Sequence, residues 1–319
     1  MQKEQRRYAT ESDRVFQTEA ARIFQMGDDA WHAGKYDEAK KYYLQSSRMY
    51  HETEDFEGMA IVELRRADLE LSLEDYKEAE KSLTFAMSFV ENIDYAQATY
   101  LEILIKMAKA KSMQADIVEA LKYVEKAKKV ANQIGSADLL GDAYDLEALI
   151  YLQDNNEKRA LESYKHAAEA HKGSGITLKE AATLRAISRI EIKNKNYDYA
   201  HDVLERCRDL YRENGDLLGE ASALSAIGSL RYIIKDIPNA RKALMKSVYL
   251  YGKVAHHFAE AEALLYLARV EAYNRELGDY ERAKIHYKRS IELFDFMDNQ
   301  TMKQAVLEEY HNFLNRISE

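Results

Sequence analysis

One pattern returns along this chain at a nearly constant interval: an aromatic or aliphatic residue, two residues, then alanine. It occurs at Tyr36/Ala39, Tyr76/Ala79, Ile117/Ala120, Tyr197/Ala200, Ile237/Ala240 and Tyr280/Ala283, and Glu157/Ala160 fills the remaining slot without its hydrophobe. The alanines are spaced 40, 41, 40, 40, 40 and 43 residues apart. A fixed period of roughly 20–50 residues marks supersecondary units that stack on one another. It therefore constrains the fold more tightly than any bulk property of the chain.

Three further columns keep the same register. Twelve residues before the alanine stands a small residue: Gly27, Ala67, Ala108, Ala148, Ser188 and Gly228, with Ala268 fifteen before Ala283. The last repeat thus carries three extra residues around "YNRELGDY". Four residues after the alanine comes a large one (Tyr43, Leu83, Val124, Tyr164, Leu204, Leu244, Tyr287), and seven after it a small one (Ser46, Ala86, Ala127, Ala167, Cys207, Ser247, Ser290). Spacings of four and seven lie on one helical face. Small residues on two helices let their axes approach, and the large residue fills the space between. One such pair cannot bury its own apolar face, so neighbouring pairs supply the core.

Composition agrees. The 319 residues include only 12 glycines and 1 proline, with 46% hydrophobic and 32% charged residues, which suits a helical and well-solvated chain. Polar turns such as "HAGKYD", "SLEDYK" and "IKDIPN" separate the helices. Asp236 is expected to cap a helix whose first turn holds Pro238, and Thr177/Glu180 and Thr301/Gln304 read as capping boxes. The expected organisation is a basic tail at residues 1–12, seven helix pairs over 13–299, and a capping helix at 300–319.

The net charge of −9, with both signs intermixed, argues against general nucleic-acid binding. No apolar run reaches the ~18–20 residues of a membrane span. Cys207 is the one cysteine, so neither an intrachain disulfide nor a cysteine-based metal site is expected. With no apolar leader at the N-terminus, the cytoplasm or another reducing space is the expected location. A periplasmic protein stripped of its leader is the alternative.

The chain resembles the tetratricopeptide repeat in a 40-residue form, over about residues 20–297. The resemblance rests on the small residue of the first helix, the Gly-x-Tyr turn, the alanine of the second helix, and the large and small residues that follow. It implies an all-α solenoid, a right-handed superhelix of about seven helix pairs with a C-terminal capping helix. It also implies a concave groove lined by the first helix of each pair. The proline that often ends each unit of the family is missing.

Signatures of catalysis are absent: there is no His-Glu-x-x-His, no Cys-x-x-Cys and no nucleophile elbow. No enzyme, metal or cofactor is expected. His256 and His257 are adjacent, so on a helix they diverge by about 100° and cannot share an ion. "GSGITLK" (173–179) lacks the strand and the Gly-Lys-Ser/Thr ending of a phosphate loop and reads as an inter-repeat turn. Cys207 falls in a packing column, although Arg206 and Arg208 flank it.

The groove positions follow from the register. Arg185, Arg189 and Lys193 stand at i, i+4 and i+8 on one helix, with Lys109 and Arg269 at the Arg189 position of other repeats. Tyr232 and Tyr273 supply aromatic surface, Phe24 lies in the first repeat, and Trp31 there is either core or groove. These nine residues are the candidate partner-binding set. The expected ligand is a protein or peptide segment with an acidic part. Co-chaperones of the family use Lys and Asn where Phe24 and Asp28 stand here. Kinesin light chains and bacterial peptide-pheromone receptors use asparagine ladders, whereas the residues two before the small column are Gln25, Arg65, Lys106, Leu146, Ala186, Ala226 and Tyr266. A helix or folded partner is therefore expected rather than an extended backbone. The expected function is a non-catalytic interaction scaffold. The alternative is a ligand-responsive regulator resembling the bacterial receptors, and self-association through the terminal caps is a further reading.

Overall fold

The computed structural model describes residues 11–91, 93–273, 276 and 279–318. Among the described residues the chain is all-α, with fifteen α-helices and no strand. It divides into two compact units, Met1–Ser163 and Tyr164–Glu319. The first holds α1 (Glu11–His32), α2 (Tyr36–Glu52), α3 (Phe56–Ser72), α4 (Tyr76–Val90), a 3-10 turn (Asp94–Ala96), α5 (Gln97–Met113), α6 (Ile117–Ile134), α7 (Ala137–Gln153) and the start of α8 (Glu157–Ser174). The second holds the rest of α8, then α9 (Thr177–Lys193), α10 (Tyr197–Glu213), α11 (Leu217–Ile233), α12 (Ile237–Lys253), α13 (His257–Glu271), α14 (Tyr280–Phe296) and α15 (Gln300–Ser318). Residues 1–10 of the expected basic tail lie outside the described residues, as do residues 274, 275, 277 and 278 within the expected insertion.

Within each unit the columns pack as their sizes dictate. The anchor alanines are fully buried, as are Tyr43 and Leu83 in unit one and Leu204 and Leu244 in unit two. The small column must be small: a Cβ on Gly27 would sit 2.5 Å from Cε1 of Tyr43, and one on Gly228 2.5 Å from Cγ of Leu244. Two pairs close on the next through the same kind of contact, at Gly58 and Gly219. A Cβ on Gly58 would meet Tyr50 at 2.6 Å.

The fourth column does more than stay small. Ser46 Oγ donates to the Ala20 carbonyl at 2.7 Å, and Ser247 and Ser290 donate to Ala221 and Ala261 at 2.8 Å each. Cys207 Sγ donates to Ala181 O at 3.2 Å. These buried hydroxyls and the thiol are satisfied by a first-helix carbonyl, which pins second helix to first.

Helix ends follow one device. The residues with positive φ between first and second helices are Gly34, Glu74, Ala115, Asn155, Lys195 and Lys235; those between pairs include Glu54, Gly135, Gly175, Gly215 and Ala255, with Asp298 before α15. The residue after each starts the next helix as its cap. Asp236 accepts from Asn239 N at 3.4 Å with Pro238 in the first turn, as expected. The two capping boxes are not formed. Gly175 moves the cap of α9 to Ile176, so Thr177 is already helical, and Glu180 turns to Arg206 at 3.3 Å. Asp298 makes Asn299 the cap of α15, its Oδ1 accepting from Met302 N at 3.1 Å, and Thr301 lies inside the helix. Likewise His256 is not on a helix with His257 but caps it, Nδ1 accepting from Ala259 N at 3.3 Å.

A candidate partner-binding groove at the C-terminal repeat

In unit one Phe24 and Trp31 lie against core, and the three candidates do not come together. The Phe24 ring sits 5.8 Å from that of Tyr43. Trp31 packs on the cluster around Ala30 and Ala39 and stacks on His32 at 6.2 Å. Lys109 is exposed and makes no ion pair among the described residues. The acids at its groove position are already matched. Asp28 accepts from Tyr43 Oη at 2.7 Å and pairs with Arg65 at 3.4 Å, while Asp68 pairs with Lys106 at 2.5 Å. The basic partners, Arg65 and Lys106, come from the column two before the small residue.

In unit two, α9 does not present Arg185, Arg189 and Lys193 as an even row. Arg185 is half-buried, and its Nη1 donates to Ser222 Oγ on α11 at 2.7 Å. Arg189 and Lys193 are exposed, and Arg189 has no ion pair among the described residues. Cys207 is fully buried, and burial pushes its thiol up to about 12, with the Arg185 charge pulling the other way. That is a packing residue and not a nucleophile.

Three of the nine candidates do converge. Tyr232 on α11, Arg269 on α13 and Tyr273 just after α13 line a cavity of about 500 Å³ with Tyr287, Glu309, Asn312, Phe313 and Arg316. The rings of Tyr232 and Tyr273 meet edge to face at 6.2 Å. Arg269 is held by both oxygens of Glu309, Nε at 2.8 Å and Nη2 at 2.7 Å, and lies 5.0 Å over the Tyr266 ring. Tyr287 Oη also donates to Glu309 at 2.9 Å. Burial alone would raise the Glu309 carboxyl, but the Arg269 hydrogen bonds outweigh it and hold the group below its ordinary range. Burial and the neighbouring Glu309 charge push the Tyr287 hydroxyl up, which keeps it a donor. Arg316 fixes the far wall, its Nη2 donating to the Ala272 carbonyl at 2.7 Å.

The sequence reading missed the α15 half of this site. The signal was there, because Glu309 stands 40 residues after Arg269 in the same column. Treating α15 as a plain cap hid it.

Helix pairs of constant length, joined by small and large columns, define an all-α helical-repeat protein of the α-solenoid class. The tetratricopeptide repeat family profile matches residues 263–295, and the solved structures that align with the chain share its helical-repeat fold. One is a signal-transduction ATPase with a tetratricopeptide repeat sensor from Pyrococcus horikoshii (18% identity, TM-score 0.72, covering 94% of this chain and 46% of that one). Another is the apo form of RapI (12% identity, TM-score 0.69, 86% and 76% covered). A third is the apo quorum sensor NprR from B. thuringiensis (16% identity, TM-score 0.57, 93% and 86% covered). The chain spans less than half of the ATPase. A comparison with curated proteins returned no match.

Proposed function

We propose that the protein is a non-catalytic scaffold that holds a partner protein or peptide segment in the groove of its C-terminal repeats. The observation that carries this reading is the aromatic cavity of about 500 Å³ where Tyr232, Arg269 and Tyr273 converge. Tyrosines offer large rigid area at little entropic cost, which is the usual anchor chemistry of a protein interface. Arg269 is engaged by Glu309, so an acidic part of the partner finds its counter-charge at the exposed Arg189 of the same unit. Among the described residues no helix is long and apolar enough to cross a membrane.

The test is selection of a displayed peptide library on the full chain, repeated on a Tyr232→Ala/Tyr273→Ala variant. Selected peptides lose roughly tenfold or more in affinity on the variant, as truncated anchors do. Equal affinity for both proteins overturns the assignment of the site. A second reading, a ligand-responsive regulator, draws support from two similar structures, which are a sensor-bearing ATPase and a quorum sensor. In that case a selected peptide also changes the radius of gyration of the chain in solution scattering, and a pure scaffold keeps it constant.

A further inference from the structure

We propose that the cleft between α10 and α12, floored by α11, is a binding site for a small organic phosphate that presents a diphosphate or an equally dense cluster of anionic oxygens. Its walls are second helices and it shares no lining residue with the groove at Arg269, so it stands whether or not that groove binds a partner.

Five cations line this cleft in a chain whose net charge is −9: Arg208 and Arg212 from α10, Arg231 from α11, and Lys242 and Lys246 from α12. The register of the repeats shows how unusual that is. The second helices share one sequence register, so the positions of Arg208, Arg212, Lys242 and Lys246 recur along the chain. Four repeats back they hold Ser47, His51, Lys81 and Phe85, which line a cavity of about 520 Å³ between α2 and α4 in unit one. No other repeat puts a cation at all four places. The columns that fold the chain do not require these charges.

Acids hold the cations in place from behind. Asp209 accepts from Arg208 at 2.7 Å and pairs with Arg212 at 3.1 Å; Asp236 takes Arg231 at 3.2 Å and Glu220 takes Lys246 at 2.5 Å. Glu205, paired with Arg208, is the one acid among the lining residues. Arg231 Nη2 also lies 2.5 Å from His201 Nε2. Lys242 is exposed with no ion pair among the described residues. The arrangement is therefore pre-ordered: guanidinium groups are already oriented, and less freedom is lost when an anion arrives.

The cavity measures about 310 Å³, at the small end of ligand sites. Its floor is Leu224, Ile227 and Ala243, all apolar and buried. Apolar surface beneath strengthens the field of the cations above it and offers a face to the carbon part of the ligand. Planar guanidiniums match phosphate oxygens in pairs, and Lys242 and Lys246 add point charges.

Isothermal titration of the full chain with inorganic pyrophosphate at low salt tests the site. The wild type is expected to bind one pyrophosphate per chain, saturably. Lys242→Glu is expected to weaken that binding roughly tenfold or more, since it replaces an attraction by a repulsion at close range. Lys81→Glu, the same change at the equivalent place in unit one, is expected to leave it unaltered. Both lysines are exposed, so unchanged circular dichroism is expected for each variant. Equal weakening by the two variants would reduce the effect to overall charge and overturn the site, as would a wild type that shows no saturable binding or a Lys242→Glu protein that binds as well as the wild type.

Discussion

Gly27 faces the Tyr43 ring so closely that a single methyl group has nowhere to go. Gly27→Ala is expected to destabilise the protein by about 1–3 kcal/mol, the usual cost of overpacking, measured as a lower urea midpoint for unit one. Cys207 illustrates the opposite relation of residue to neighbourhood. Its thiol is buried, donates to Ala181 O and is pushed up to about 12. Iodoacetamide at neutral pH is therefore expected to leave it unlabelled in the folded protein and to label it fully in urea, followed by mass spectrometry. At this scale the columns were legible, because size and spacing alone decide which side chains meet. What escaped was the second duty of Ser46, Ser247 and Ser290, whose hydroxyls bond a carbonyl that no linear pattern marks. The charge row on α9 was legible as a row but not as a surface. Arg185 turns to Ser222, a contact that depends on the next repeat's helix.

Helix identity and approximate length could be read directly from the period; helix starts could not. Most starts follow a residue in the left-handed region, and most of these between first and second helices are Glu, Ala, Asn or Lys rather than glycine, so they carry no signal. Thr177 and Thr301 looked like caps but lie one and two residues past the real ones, Ile176 and Asn299. The α15 helix has its own measurable property. Glu309 is held below the ordinary carboxylate range by Arg269, so its contribution to stability is present above the unfolded pKa and is lost as pH falls through the folded one. Acidification below about pH 4 is expected to release amide protection in α15 ahead of the rest of unit two, by hydrogen exchange. Glu309→Gln is expected to weaken the docking of α15 at neutral pH and to remove that acid step.

Within each unit the chain behaves as a sum of neighbours, since adjacent repeats bury their faces against one another. Removing residues 300–319 takes Val306, Tyr310 and Phe313 away from Tyr287, Leu293 and Phe294. The expected result is lost exchange protection in α13 and α14 with α2–α4 unchanged, because destabilisation travels through adjacent interfaces. Uniform loss along the chain would contradict that picture. The fold was readable at this scale from four columns. The site was readable only in part, because binding surfaces are made of the positions that the repeat leaves open.

Those open positions matter beyond any one ligand. The places of Arg208, Arg212, Lys242 and Lys246 in the cleft between α10 and α12 are, four repeats earlier, held by Ser47, His51, Lys81 and Phe85. The chain thus carries two independent texts at once, one spelled in buried columns that dictates shape and one spelled in the gaps that dictates company. Rewriting the second leaves the first intact, so a new specificity can arise here through a handful of exchanges with no new architecture to invent.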